Sequence, residues 1–305
     1  MRGSNKWQVT EVFKVSGIDQ IGESRHAAKA EARAAGAHTS AAIAEKTGIH
    51  SFRTKEAYLK VWHQCLDHAK TEYKVRDIEK LNAEHVSSFL LGRIRDDVSH
   101  QTYGQAAAAL GKLESSLNGY AQVKGTGQIY DFRLAIRALQ PEAKDLSKMQ
   151  PGRAFRDPDR VISYLRDADF RLAATIQREA GLRVSEVTHI RSSQLKGEGK
   201  IEVRGKGGKI RQAEIPRDTY QQLVARMKQS EEFRVNRDAY SSAVIRASET
   251  AGDKGSSHSF RHRWVQERMQ EKLSEGKTWE RALAEVSEEI GHTRAEITQH
   301  YLGRR

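Results

Sequence analysis

The stretch Ile201-Glu202-Val203-Arg204-Gly205-Lys206-Gly207-Gly208-Lys209-Ile210-Arg211-Gln212-Ala213-Glu214-Ile215-Pro216 is the only convincing β-structure in the sequence. Ile201 and Val203 alternate with charged residues, Gly205 to Gly208 makes a tight turn, and Ile210 to Ile215 returns to Pro216. On both sides the apolar residues recur at helical spacing. Upstream, helices run through Ile162 and Leu165 and then through Leu172, Ile176 and Ala180, where Gly181 stops them. Downstream, Trp264 to Leu273 and Trp279 to Ile290 are helical, with Gly276-Lys277-Thr278 as the break. The fold class is therefore mainly α with a small antiparallel β-sheet (α+β).

Further from the hairpin, Tyr58, Val61, Trp62, Cys65, Leu66, Ala69 and Tyr73 form one apolar stripe. Val86, Phe89, Leu90 and Ile94 form another behind an Asn82 cap, and Tyr103 to Tyr120 a third. A weaker helix covers Tyr130 to Leu139. Four helices with short links describe a small all-α domain over residues 51–142. Pro141, Pro151 and Pro158 lie among Lys144, Lys148, Arg153 and Arg156, so residues 143–157 read as an exposed basic linker. Asp157-Pro158 then caps the first helix of a second domain, residues 158–305. Residues 1–50 read as a separate appendage, with an Ala-rich surface helix from Ala27 to Ala35 and a shorter one from Ser40 to Lys46.

The chain has 305 residues, enough for two cores, and 52 Lys and Arg against 40 acids, which favours a polyanionic partner. No apolar run is long enough to span a bilayer, and Lys6, Glu11, Lys14 and Asp19 break up any signal-like core. Cys65 is the only cysteine, so no internal disulfide or thiolate metal cluster forms. The expectation is a cytoplasmic protein with no membrane partner.

Four segments carry the chemistry: Gly181-Leu182-Arg183-Val184-Ser185-Glu186, the hairpin Gly205-Lys206-Gly207-Gly208-Lys209, His258-Ser259-Phe260-Arg261, and Gly291-His292 with Tyr301 nine residues on. Arginines that grip one phosphate, with donors able to protonate, make a site for an oxyphosphorane transition state. Each piece alone has a plainer reading. Arg183 could be a surface residue paired with Glu186, the glycine turn an ordinary hairpin, and Tyr301 a core anchor. His258 and His262 share a helix face, but Ser259 stands where a zinc protease needs glutamate, so no metal site is expected.

Order and spacing change the reading. Residues from Asp157 to Tyr301 resemble the catalytic domain of the tyrosine recombinase (phage integrase) family, whose pattern runs Arg, hairpin Lys, His-x-x-Arg, Gly-His, Tyr. Residues 51–142 resemble the family's helical core-binding domain in size, position and helical character. The resemblance implies a two-domain clamp on double-stranded DNA that cuts and rejoins strands through a 3′-phosphotyrosyl link, as a homo-tetramer on two sites, without cofactor or metal. By position, Arg183 and Arg261 would hold the scissile phosphate, and Lys206, rather than Lys209, would protonate the leaving 5′ oxygen. His258 would be the acid/base partner of the tyrosine, His292 a phosphate hydrogen bonder, and Tyr301 the nucleophile, with Glu186 buttressing Arg183. The nearest alternatives are relaxation of the type IB topoisomerase kind and a catalytically inactive DNA-binding regulator.

Three features depart from the family pattern. Phe260 stands where leucine is commoner, the stretch from Arg261 to His292 is long, and only Leu302 to Arg305 follow Tyr301. Unless the protein continues past Arg305, another element is expected to join the subunits, the appendage before His50 or the region from Glu271 to Glu289.

Overall fold

The computed structural model describes residues 1–147, 153–205, 208–228, 230–292 and 294–302. The chain divides into two units, Met1–Met149 and Gln150–Arg305.

In the first unit, α1 (Asn5–Val15), α2 (Arg25–Ala34) and α3 (Ser40–Lys46) precede α4 (Phe52–Tyr73), α5 (Ala83–Arg95), α6 (His100–Lys124), α7 (Arg133–Ala138) and α8 (Gln140–Ala143). The three apolar stripes of the sequence become α4, α5 and α6, and Asn82 caps α5 by accepting from the His85 N–H. Trp62 is fully buried and donates its indole N–H to the Ala109 carbonyl of α6 at 2.7 Å. The weaker fourth helix is shorter than expected, because Tyr130 and Asn118 exchange hydrogen bonds ahead of α7.

Residues 1–50 are not a separate appendage. Val9, Val12, Phe13, Ile18 and Ile49 are buried in the same core as Trp62 and Leu110. Gln8, also buried, accepts from the Ile78 N–H and donates to the Arg76 carbonyl, tying α1 to the turn before α5. The physical reason is the i, i+3, i+4 face of Val9, Val12 and Phe13, which the charges around it conceal. Only α2 and α3 keep a small cluster of their own, Ala32, Ala37 and Ile43. The Lys112 ammonium of α6 donates to the Ala44 and Thr47 carbonyls at the end of α3.

The second unit has α9 (Pro158–Ser163), α10 (Ala168–Ala180), α11 (Val184–Val187), β1 (His189–Arg191), β2 (Lys200–Arg204), β3 (Ile210–Glu214), α12 (Arg217–Arg226), β4 (Glu232–Arg234), α13 (Arg237–Thr250), α14 (Ser257–Ser274), α15 (Trp279–Glu289) and α16 (Ala295–Gln299). Asp157 caps α9 with Pro158 at its first position, and Gly181 ends α10 at φ 59°. Phe155, in the stretch read as exposed linker, is buried edge-on against Phe260 at 4.8 Å; Lys148 and Gly152 of that stretch lie outside the described residues. A second antiparallel pair, β1 with β4, joins the expected β2–β3 hairpin.

The hairpin's return strand alternates strictly in burial, with an arginine on its inner face. Ile210 is 61% exposed, whereas Arg211 and Ala213 face inward opposite Val203 and Ile201. A buried arginine needs a fixed anion, and Glu186 supplies it.

Candidate active site

Arg183 follows the glycine stop of α10 and stands at the N-cap of α11. Three residues on, Glu186 accepts from the Arg183 backbone N–H and from its guanidinium, each at 2.8 Å. Burial alone would raise the Glu186 pKa, but the Arg183 amide and the neighbouring guanidiniums outweigh it and hold the carboxylate ionised, below its ordinary value. The Arg183 side chain keeps 24% of its surface exposed.

The start of α14 supplies the next group. His258, Arg261 and His262 fall on one face because they are three and four residues apart. Arg261 is fully buried. It donates to the Gly181 and Ile290 carbonyls, the latter at 2.7 Å, and through Nε to the Tyr301 phenol oxygen at 3.4 Å. It thus ties the end of α10 and the end of α15 to the tyrosine. Of its five guanidinium N–H groups, three are engaged among the described residues, which leaves two for another acceptor.

Tyr301 follows α16 and is 8% exposed. The rings of His262, His258 and His292 lie 4.5, 5.4 and 5.5 Å from its ring, and the Arg261 guanidinium carbon 5.6 Å. Burial, reinforced by nearby positive charge, pushes the pKa of all three histidines down to about 4. All three rings are neutral at pH 7.

The Ser287 hydroxyl lies within hydrogen-bond reach of the Leu283 carbonyl and donates to the Thr298 hydroxyl at 2.7 Å. The same Thr298 hydroxyl pairs with His292 Nδ1 at 2.8 Å, which holds the imidazole in place and leaves Nε2 free for another partner.

The structure thus gathers Arg261, His258, His292 and Tyr301 around one phenol. Arg183 lies near enough for its charge to act on His258 and His292, and a Cβ built at Gly205 of the hairpin stem would lie 3.7 Å from its guanidinium nitrogen. Lys206 lies outside the described residues. Two residues at this site were not picked out from sequence as part of it. His262 drew notice only as a metal ligand, although its spacing from His258 was the available signal; among the described residues no cluster is arranged to hold a metal ion. Thr298 gave no signal at all.

No family model and no curated protein matches this sequence. Solved structures do. Chain and XerH site-specific recombinase, in its post-cleavage complex on palindromic difH substrate, superpose with a TM-score of 0.62 at 16% identity, over 98% of this chain and 92% of that one. The chain has the tyrosine recombinase fold. A lambda integrase dimer bound to a COC′ core site matches with a TM-score of 0.58 at 16% identity, over 92% of this chain and 78% of the other. The Tn1549 transposon integrase with circular intermediate DNA matches with a TM-score of 0.54 at 12% identity, over 92% and 95%. All three of those structures hold their protein on DNA, and each match covers at least 92% of this chain. No helix among the described residues is long and apolar enough to cross a membrane.

Proposed function

We propose that this protein is a site-specific DNA recombinase that cuts and rejoins duplex DNA through Tyr301. The observation that carries the reading is the tyrosine's surroundings: a phenol oxygen facing a buried guanidinium, within a ring of neutral histidines. A phenol ionises at about pH 10 when unperturbed. Arg261 donates to the phenol oxygen, and a neutral histidine can take the proton as that oxygen attacks.

In the proposed step, Tyr301 Oη bonds to phosphorus and the bond to the 5′ oxygen breaks. This leaves a 3′-phosphotyrosyl link and a 5′ hydroxyl. The phenol proton passes to His258, and Lys206 protonates the departing oxygen. Arg183 and the two unengaged N–H groups of Arg261 take the non-bridging oxygens, where planar guanidinium matches phosphate better than ammonium does. His292 hydrogen-bonds the phosphate through Nε2, the ring nitrogen that Thr298 leaves free. Rejoining reverses the step with a 5′ hydroxyl as nucleophile and needs no nucleotide.

Because the phosphotyrosyl bond conserves the energy of the cut bond, covalent capture is the direct test. Full-length protein is mixed with duplexes of random flanking sequence that carry one 5′-bridging phosphorothiolate, whose sulfur leaves without an acid. Wild type should form adducts that survive denaturing electrophoresis and enrich one sequence, and Tyr301→Phe should bind DNA but form none. Adducts with no sequence preference would favour relaxation chemistry, and adducts undiminished in Tyr301→Phe would overturn the reading.

A further inference from the structure

We infer that Arg211, on the return strand of the hairpin, is a positioning residue for DNA cleavage, holding Arg183 through the carboxylate they share. The inference rests on the proposed cleavage chemistry and adds a residue to it. Its first support is the reversed polarity at the start of β3: an isoleucine is turned out and an arginine turned in. A charged side chain 6% exposed costs several kcal/mol to desolvate unless it is well paired. A plain hairpin would not carry that cost at a position where Ile210 next door offers an apolar side chain.

The second support is what Arg211 joins. Its Nη2 donates to Glu186 Oε2 at 2.9 Å, the oxygen that also accepts from the Arg183 backbone N–H. The other carboxylate oxygen holds the Arg183 guanidinium. Arg211 Nη1 donates to the Glu289 carbonyl at 3.1 Å, two residues before Gly291. A Cβ built at Gly291 would lie 3.3 Å from Arg211 Nε, so the turn that presents His292 lies against the same side chain. One arginine therefore links the Arg183 motif, the hairpin that carries Lys206, and the Gly291-His292 turn.

The third support is electrostatic. Glu186 is shared between two guanidiniums, so the cluster retains one net positive charge, and the part of it exposed is Arg183. Arg211 does not touch the phosphate in this account. It fixes where the Glu186 carboxylate sits, and so where the Arg183 fork points.

The test compares Arg211→Met, Arg211→Lys, Glu186→Gln and the double variant Glu186→Gln/Arg211→Met. Each is purified at full length and used below its unfolding temperature, on the duplex captured by wild type. Arg211→Met should slow single-turnover cleavage roughly 10- to 100-fold, the cost of a small misplacement of a catalytic group, with DNA affinity unchanged. Arg211→Lys keeps the ion pair but cannot also span to Glu289, so it should fall between. In the Glu186→Gln background, Arg211→Met should add little, because the shared carboxylate is already lost. With a neutral methylphosphonate at the cleaved position the penalty should shrink, since Arg183 then has less charge to neutralise. A purely structural ion pair would do none of this: the rate would stay at the wild-type value while the protein is folded, or the two losses would multiply. Either result overturns the inference, and Arg211→Lys decides it if Arg211→Met does not fold. If wild type captures no duplex, the proposed function fails instead. Titration with inorganic phosphate, followed by ³¹P line broadening, then judges Arg211 alone: weaker binding in Arg211→Lys supports its role, and unchanged binding refutes it.

Discussion

Replacing Gly181 with alanine puts the geometry at the end of α10 to the test. Gly181 has φ +59°, and an added Cβ would lie 2.8 Å from two carbons of the Trp264 ring. The ring cannot easily retreat, because its indole N–H donates to the Glu179 carbonyl at 2.8 Å. A side chain in left-handed backbone costs about 1–2 kcal/mol, and forcing a methyl into packed surroundings about 1–3 kcal/mol more. The sum, about 2–5 kcal/mol, is a large share of a typical stability of about 5–15 kcal/mol. With a urea slope of about 2 kcal/mol per molar, the transition should fall by about 1–2.5 M. Urea titration followed by hydrogen exchange at the amides of α10 and α14 isolates the second unit. Gly252→Ala is the control: its φ is +69° with nothing within 4 Å of the added atom, so it should lose only the backbone share. The Gly181 carbonyl also accepts from Arg261, so Gly181→Ala should slow adduct formation as well. A loss for Gly181→Ala no larger than for Gly252→Ala would refute the close approach.

Two other expectations follow from the packing and the site. Phe13→Ala should destabilise the first unit by about 3–5 kcal/mol, read by urea unfolding, because Phe13 is fully buried beside Trp62; a value near zero would restore residues 1–50 as a free appendage. In the free protein the rings of His258, His262 and His292 should titrate near pH 4 by NMR. Their folded pKa lies below the unfolded value of about 6.5, so the unfolded chain binds more protons between those limits, and stability present above pH 6.5 should fall as the pH drops toward 4. Midpoints near 6.5 would show the rings to be solvated.

The long helices were legible because one face of each meets a core, and period 3.6 survives substitution on the other face. Helix α1 was missed although Val9, Val12 and Phe13 have that period, since Lys6, Glu11 and Lys14 crowd so short a segment. Strands β1 and β4 have three residues each and one buried side chain apiece, too few to show a period. The candidate site residues stand out in the sequence as an ordered set of motifs rather than from any one residue. Arg211 was hidden because alternation assigns a charged strand residue to the solvent face; only its long-range partner Glu186 turns it inward. Thr298 and Ser287 act through a chain of hydrogen bonds to His292, which leaves no trace in sequence.

The central claim is that the nucleophile is Tyr301, and the adduct itself can be mapped. Wild-type protein trapped on the captured phosphorothiolate duplex is digested with nuclease and trypsin, and the peptides are analysed by mass spectrometry. Cleavage after Arg294 and Arg304 releases a peptide with one tyrosine, Tyr301. The account expects the residual nucleotide on that peptide, attached to the phenol oxygen. Attachment at Tyr164, Tyr220 or Tyr240, or to a serine or histidine, would contradict it.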